Sequence, residues 1–152
     1  MEIPDKSRIL IVEDEKSMRE VLRILLEGEG YEVTTASDSV DAASLLNRDI
    51  FNMVITDIKM PGMSGFDILK KVMETSPATI VIMITAFGTT ESAVQAMQLC
   101  AYDYIHKPFK IDEIRTVVRK ALERHKLAEE VSLLREKIKT TYELGNIFWK
   151  SH

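Results

Sequence analysis

The chain has 152 residues, 45% hydrophobic and 29% charged, with 20 basic against 24 acidic side chains for a net charge of −4. That balance excludes disordered, collagenous and disulfide-scaffold classes, and mild acidity without a block of like charge speaks against direct nucleic-acid binding. A single cysteine, Cys100, rules out an internal disulfide and a Cys-rich zinc site and fits a reducing, cytoplasmic setting. No apolar run approaches the about 20 residues of a bilayer span, so no membrane partner is expected.

Ile9-Leu10-Ile11-Val12 is the first solid apolar run and reads as a strand covered on both faces. Met18, Val21, Leu22, Leu25 and Leu26 then recur at helical spacing and share one stripe, which Gly28-Glu29-Gly30 stops. Tyr31–Thr35 is a shorter, β-branched run, followed by a helix marked by Val40, Ala43 and Leu46. Met53-Val54-Ile55 is the third strand, with Phe66, Leu69 and Met73 striping the helix after it. The run Ile80-Val81-Ile82-Met83-Ile84 is the fourth, succeeded by a helix carrying Ala93, Ala96, Met97 and Cys100, and Tyr104-Ile105 is the fifth. Strand-then-helix units joined by connections too long for hairpins predict a doubly wound α/β domain with a five-stranded parallel sheet, over about residues 5–122.

From Ile111 to Leu144 there is neither Gly nor Pro, and good helix formers predominate. One helix of some 30 residues, roughly 50 Å long, is predicted. Its first turns, with Ile111, Ile114, Val118 and Ala121, pack on the sheet. Beyond them Leu127, Val131, Leu134 and Ile138 are spaced as a coiled-coil seam, which predicts a helical linker over 123–145 and a homodimer. The plainer alternative is an amphipathic tail folding back on its own domain. Residues 146–152 form a tail.

In doubly wound sheets ligands bind outside the carboxyl ends of the strands, where strand order reverses. Glu13 and Asp14 follow the first strand, Asp57 the third, Thr85 the fourth and Lys107 the fifth. Singly, each has an ordinary explanation as a helix cap, a strand-end threonine or a loop charge. Together they face one rim. If the first and third strands are neighbours about 4.8 Å apart, three carboxylates crowd one pocket. A like-charge pair at about 4 Å costs about 4 kcal/mol at an effective dielectric of about 20, so the cluster calls for a cation. All-oxygen ligation suits a hard divalent ion, and Mg2+ is the candidate. His106, His125 and His152 form no ligand cluster and read as solvent-facing. Lys107, roughly 10 Å or two strand spacings from Asp57, is long enough to lean over it. A metal on one side and an ammonium on the other make Asp57 a carboxylate set up to receive a phosphoryl group, with the Thr85 hydroxyl in position to donate to a phosphate oxygen.

The acidic pair Glu13-Asp14, the segment Thr56-Asp57-Ile58-Lys59-Met60-Pro61-Gly62-Met63-Ser64-Gly65, Thr85-Ala86 and Tyr104-Ile105-His106-Lys107-Pro108-Phe109 resemble the receiver domain of two-component response regulators over residues 8 to about 122. The resemblance implies a flavodoxin-like sheet of order 2-1-3-4-5. It implies that a sensor histidine kinase phosphorylates Asp57, with Mg2+ held by Asp14, Asp57, the backbone carbonyl of Lys59 and, through water, Glu13. It further implies that Lys107 contacts the phosphate, that Thr85 and Tyr104 are a coupled switch pair, and that dimers form through the face of the fourth and fifth helices. One departure is Cys100, where the family more often has Gly.

Ala101-Tyr102-Asp103-Tyr104 and the linker with Leu133-Leu134-Arg135-Glu136 resemble NtrC-type regulators, in which a receiver precedes an AAA+ ATPase acting on sigma-54 RNA polymerase. Asn146-Ile147 and Lys150-Ser151 resemble the start of such an ATPase, but no Gly-x-x-x-x-Gly-Lys-Ser/Thr loop follows in these 152 residues, so the chain reads as a fragment. The expected function is thus a phosphoryl-accepting transcriptional switch rather than an enzyme on external substrates. The alternatives are a stand-alone or degenerate receiver serving as an interaction module, a phosphatase with an aspartyl-phosphate intermediate, and a flavin or nucleotide binder on the same sheet order.

Overall fold

The computed structural model describes residues 6–59, 64–86, 90–99 and 101–124, together with Leu127 and Leu134. Strands β1 (Arg8–Val12), β2 (Glu32–Ala36), β3 (Met53–Asp57), β4 (Ile80–Thr85) and β5 (Asp103–His106) alternate with helices α1 (Lys16–Gly28), α2 (Ser39–Arg48), α3 (Gly65–Thr75) and α4 (Thr90–Gln98). A fifth helix, α5, runs over 111–124. All strand pairs are parallel, in the order β2-β1-β3-β4-β5. The expected doubly wound sheet is therefore present, with β1 at the point where successive connections leave in opposite directions.

Alternate residues of each strand feed two separate cores, as the period-two geometry of a pleated sheet requires. Ile9, Ile11, Met53, Ile55, Ile82 and Ile84 pack with Leu22 and Leu26 of α1 and with Ile114, Val118 and Ala121 of α5. Leu10, Val12, Val54, Val81 and Met83 pack with Ala42 and Leu45 of α2, Ile68, Leu69 and Val72 of α3, and Ala96 of α4. Solid apolar runs are needed because neither face of these strands meets water.

Several helical stripes sit one residue away from the expected rows. In α2 the buried positions are Ser39, Ala42 and Leu45, while Val40 is 72% exposed. The Asp38 carboxylate accepts a hydrogen bond from the backbone N–H of Asp41 at 2.7 Å, starting the helix with Val40 turned outward. In α3 the buried set is Ile68, Leu69 and Val72, with Phe66 and Met73 on its flanks. Val21, Met97 and Ile111 are also largely exposed. Apolar residues cover more than one row of each of these helices, so spacing alone does not choose the inward row.

The turn after α1 follows from Gly30, whose φ of 94° lies in the left-handed region that glycine tolerates. Its N–H donates to Glu27 O at 3.0 Å and that of Tyr31 to Leu26 O at 3.2 Å, so Tyr31 closes the helix and β2 starts one residue later than its β-branched pattern suggests. No helix among the described residues is long and apolar enough to cross a membrane. Cys100, His125 and His152, and the seam positions Val131 and Ile138, lie outside the described residues.

Candidate functional site

At the carboxyl ends of β1 and β3 the apolar runs give way to polar residues, of which Thr56 and Glu13 are still buried. Val12 pairs with Thr56, so the next residues, Glu13 and Asp57, stand side by side. Glu13 extends the ladder by one bond, its N–H donating to Ala36 O at 3.1 Å. Oxygen atoms of Glu13, Asp14 and Asp57 lie within 4.8 Å of one another. Glu13 is buried, Asp57 half-buried and Asp14 exposed, so the cluster opens to solvent on the Asp14 side.

Lys107 follows β5 and reaches across β4 into this cluster. Its Nζ donates to Glu13 Oε1 at 2.7 Å and to Asp57 Oδ2 at 3.0 Å. The sequence suggested only the second contact. A buried Glu13 behind Asp57 was not legible from spacing, because the side chain's direction depends on how β1 leaves the sheet. The Lys107 backbone N–H donates to Thr85 O at 2.8 Å, tying the lysine to the end of β4, and the Lys107-Pro108 bond is cis.

Asp57 Oδ1 accepts from the backbone N–H of Lys59 at 3.2 Å, and the Thr56 hydroxyl donates to Asp57 O at 3.0 Å. The chain after Asp57 is pinned by a bond from Gly65 N–H to Ile58 O of 2.8 Å, and the Asp67 carboxylate accepts from Ser64 N–H at 3.0 Å at the start of α3. Thr85 is fully buried at the end of β4. Tyr104 pairs with Met83 and is half-buried against the α2–α4 core, so Thr85 and Tyr104 lie on one face of the sheet in neighbouring strands. His106 is exposed, with its Nδ1 2.6 Å from Lys107 O, and takes no part in the carboxylate cluster.

Burial pushes the Glu13 carboxyl up to about 7, with the neighbouring negative charge of Asp57 adding to the shift and Lys107 opposing it. Burial alone would lower Lys107, but its hydrogen bonds to Glu13 and Asp57 outweigh that and raise its pKa. Glu13 Oε2 is buried and makes no hydrogen bond among the described residues. A carboxylate oxygen left without a partner in an all-oxygen donor set fits a hard divalent cation.

The raised Glu13 pKa fixes a sign for the metal-free protein. Because the folded state holds this proton more tightly than the unfolded chain, Glu13's contribution to stability is complete below its ordinary 4.5 and disappears as pH rises through about 7. Urea melts in EDTA are expected to lose stability between those pH values in wild type and much less in Glu13→Gln. Equal slopes in the two proteins would contradict this.

A 2-1-3-4-5 parallel sheet whose switch-point rim gathers three carboxylates and a lysine defines a doubly wound domain with an acidic pocket. The response regulator receiver domain family matches residues 9–119, and the chain belongs to that family. Among curated proteins it is 34% identical over 145 residues to the regulatory protein AtoC of Escherichia coli, covering 95% of this chain and 32% of that protein. It is also 34% identical over 127 residues to the C4-dicarboxylate transport transcriptional regulatory protein DctD of Rhizobium meliloti, covering 84% of this chain and 28% of DctD. The chain thus spans about a third of the length of these relatives. Among solved structures, NtrX of Brucella abortus superposes with a TM-score of 0.80 at 37% identity, covering 86% of this chain and 30% of that one. A CheY-like receiver domain protein of Methanospirillum hungatei gives 0.79 at 29% identity, covering 82% of this chain and 99% of that one.

Proposed function

We propose that this chain is a phosphoryl-accepting switch in which Asp57 takes a phosphoryl group from the phosphohistidine of a sensor histidine kinase. The observation that carries the reading is the position of the Asp57 carboxylate between an acidic cluster and the Lys107 ammonium, 3.0 Å away. One Asp57 oxygen attacks phosphorus and the P–N bond breaks, its electron pair passing to the ring nitrogen of the kinase histidine, which takes up a proton from solvent water as it leaves. Asp14, Asp57 and the Lys59 carbonyl would hold Mg2+, with Glu13 contributing through water, and the ion would supply positive charge for the transferring phosphoryl oxygens. Lys107 already donates to Asp57 Oδ2, so a short rotation of its stem brings Nζ onto a phosphate oxygen. The Thr85 hydroxyl donates to another, and Tyr104 turns into the space this opens, reshaping the face of α4, β5 and α5. The switch regulates transcription in the cytoplasm as the receiver part, 5–122, of an NtrC-type sigma-54 activator.

Leu127 and Leu134, one heptad apart, are both helical and 59% and 57% exposed, which supports a dimer seam in the linker over 123–145. Incubation with Mg2+ and a small phosphodonor is expected to add the mass of one phosphoryl group, none in EDTA, and to change the dimer's sedimentation. No added mass in Mg2+ would favour a degenerate receiver acting as an interaction module.

A further inference from the structure

The acidic loop is held by an atom outside the cluster. Arg19, half-buried in the second turn region of α1, sends Nη1 back to Glu13 O at 2.9 Å. Side chains on a helix lean toward its N-terminus, which is the direction this contact needs. The Arg19 backbone N–H bonds Glu15 O at 3.0 Å, so the helix that carries the guanidinium begins on the same loop. The Glu13 unit is therefore gripped at three points. Its N–H is on Ala36 O, its carbonyl on Arg19, and its carboxylate on Lys107. The carbonyl of the Glu13-Asp14 peptide lies past the end of β1, where the Arg19 guanidinium donates to it.

We infer that Arg19 is a positioning residue for the cation pocket: by holding the Glu13 carbonyl it fixes the peptide plane between the two acids and hence the direction from which Asp14 enters the cluster. This rests on the Mg2+ reading above and deepens it. A guanidinium near three carboxylates repels a divalent cation, so on Coulomb grounds its removal should tighten Mg2+ binding. If positioning dominates, removal weakens binding, because partners that orient ligands are typically worth 10–100-fold in metal affinity, by about that range.

The test is calorimetric titration of the metal-free chain with Mg2+ alone, with circular dichroism checking the fold. Arg19→Met is expected to bind at least roughly tenfold more weakly than wild type. Arg19→Lys, which keeps the charge and a cationic donor group but not the planar fork, is expected to fall between them. Arg23→Met removes the same charge from an exposed network with Glu20 and Glu27 on the same helix and is expected to bind as wild type does. Binding by Arg19→Met that equals or exceeds wild type, whatever its melting temperature, overturns the inference. Should Arg19→Met fail to fold, Arg19→Gln is judged by the same criterion. A wild-type chain that binds no Mg2+ would instead overturn the proposed function, and this inference with it.

Discussion

Asp57→Asn is expected to accept no phosphoryl group from a small phosphodonor in Mg2+ and, in EDTA, to melt at a higher temperature than wild type. The loss is total because an amide cannot become an acyl phosphate without first giving up its nitrogen. The gain follows from the crowding of Glu13, Asp14 and Asp57 within 4.8 Å, which one ammonium shared between two of them only partly offsets. The amide oxygen of Asn can still accept from Lys107, so a negative charge is removed without leaving the lysine unpaired. Asp14 is exposed and water screens it, so the relief is on the order of 1 kcal/mol, a few degrees in Tm for a domain of this size. Added Mg2+ should raise the Tm of wild type and raise that of Asp57→Asn much less. Mass spectrometry and thermal melts with and without Mg2+ measure all three effects. Phosphate on the variant, or a lower melting point in EDTA, would contradict the role given to Asp57.

The largest loss of stability from a one-carbon change is expected at Gly65. In an ordinary helix, replacing Gly with Ala gains up to about 1 kcal/mol. Here a Cβ would overlap the carbonyl oxygen of Asp57 and come within 2.9 Å of Ile58 Cα and 3.0 Å of Asp57 C. All of these are backbone atoms of the segment that presents the phosphoacceptor candidate, and none can swing aside. α3 would have to retreat, stretching the 2.8 Å bond from Gly65 N–H to Ile58 O. Overpacking of this kind costs about 1–3 kcal/mol and occasionally more. Gly65→Ala should therefore lower the urea midpoint and weaken Mg2+ binding, since Asp57 is displaced along with its carbonyl. Gly28, with nothing within 4 Å of the added carbon, is the control, and Gly28→Ala should leave the midpoint unchanged or higher. A stable Gly65→Ala with unaltered Mg2+ binding would show that the approach of α3 to β3 is looser than described.

The strands were readable because burial on both faces leaves a signature that spacing does not blur, as in Ile80–Ile84. The five rim residues were readable as a set for a related reason: each lies one or two steps past an apolar run that must end where the sheet ends. The inward rows of the helices were not. Val40 and Ala42 differ by two positions on α2, and it is the Asp38 cap, not the apolar count, that decides which is buried. Contacts crossing between elements were also hidden. Nothing in the spacing of Glu13 and Lys107, 94 residues apart, tells that the buried carboxylate turns toward the ammonium. Arg19 reads as one more surface charge of an amphipathic helix. Its only signal is a position six residues beyond Glu13, within reach of a long side chain bending toward the helix start. Gly65 stands in the quoted motif, yet its need for a bare backbone is visible only once α3 is seen pressed against β3.

The sheet divides the interior into two compartments that share no side chains. Thr85 and Tyr104 belong to the side holding Ala96 and Leu99, whereas Ile114, Val118 and Ala121 lie across the partition. The rearrangement of Tyr104 proposed above would therefore press on α4 directly and reach α5 only by way of the edge strand β5, so the two helices would answer one event by different routes.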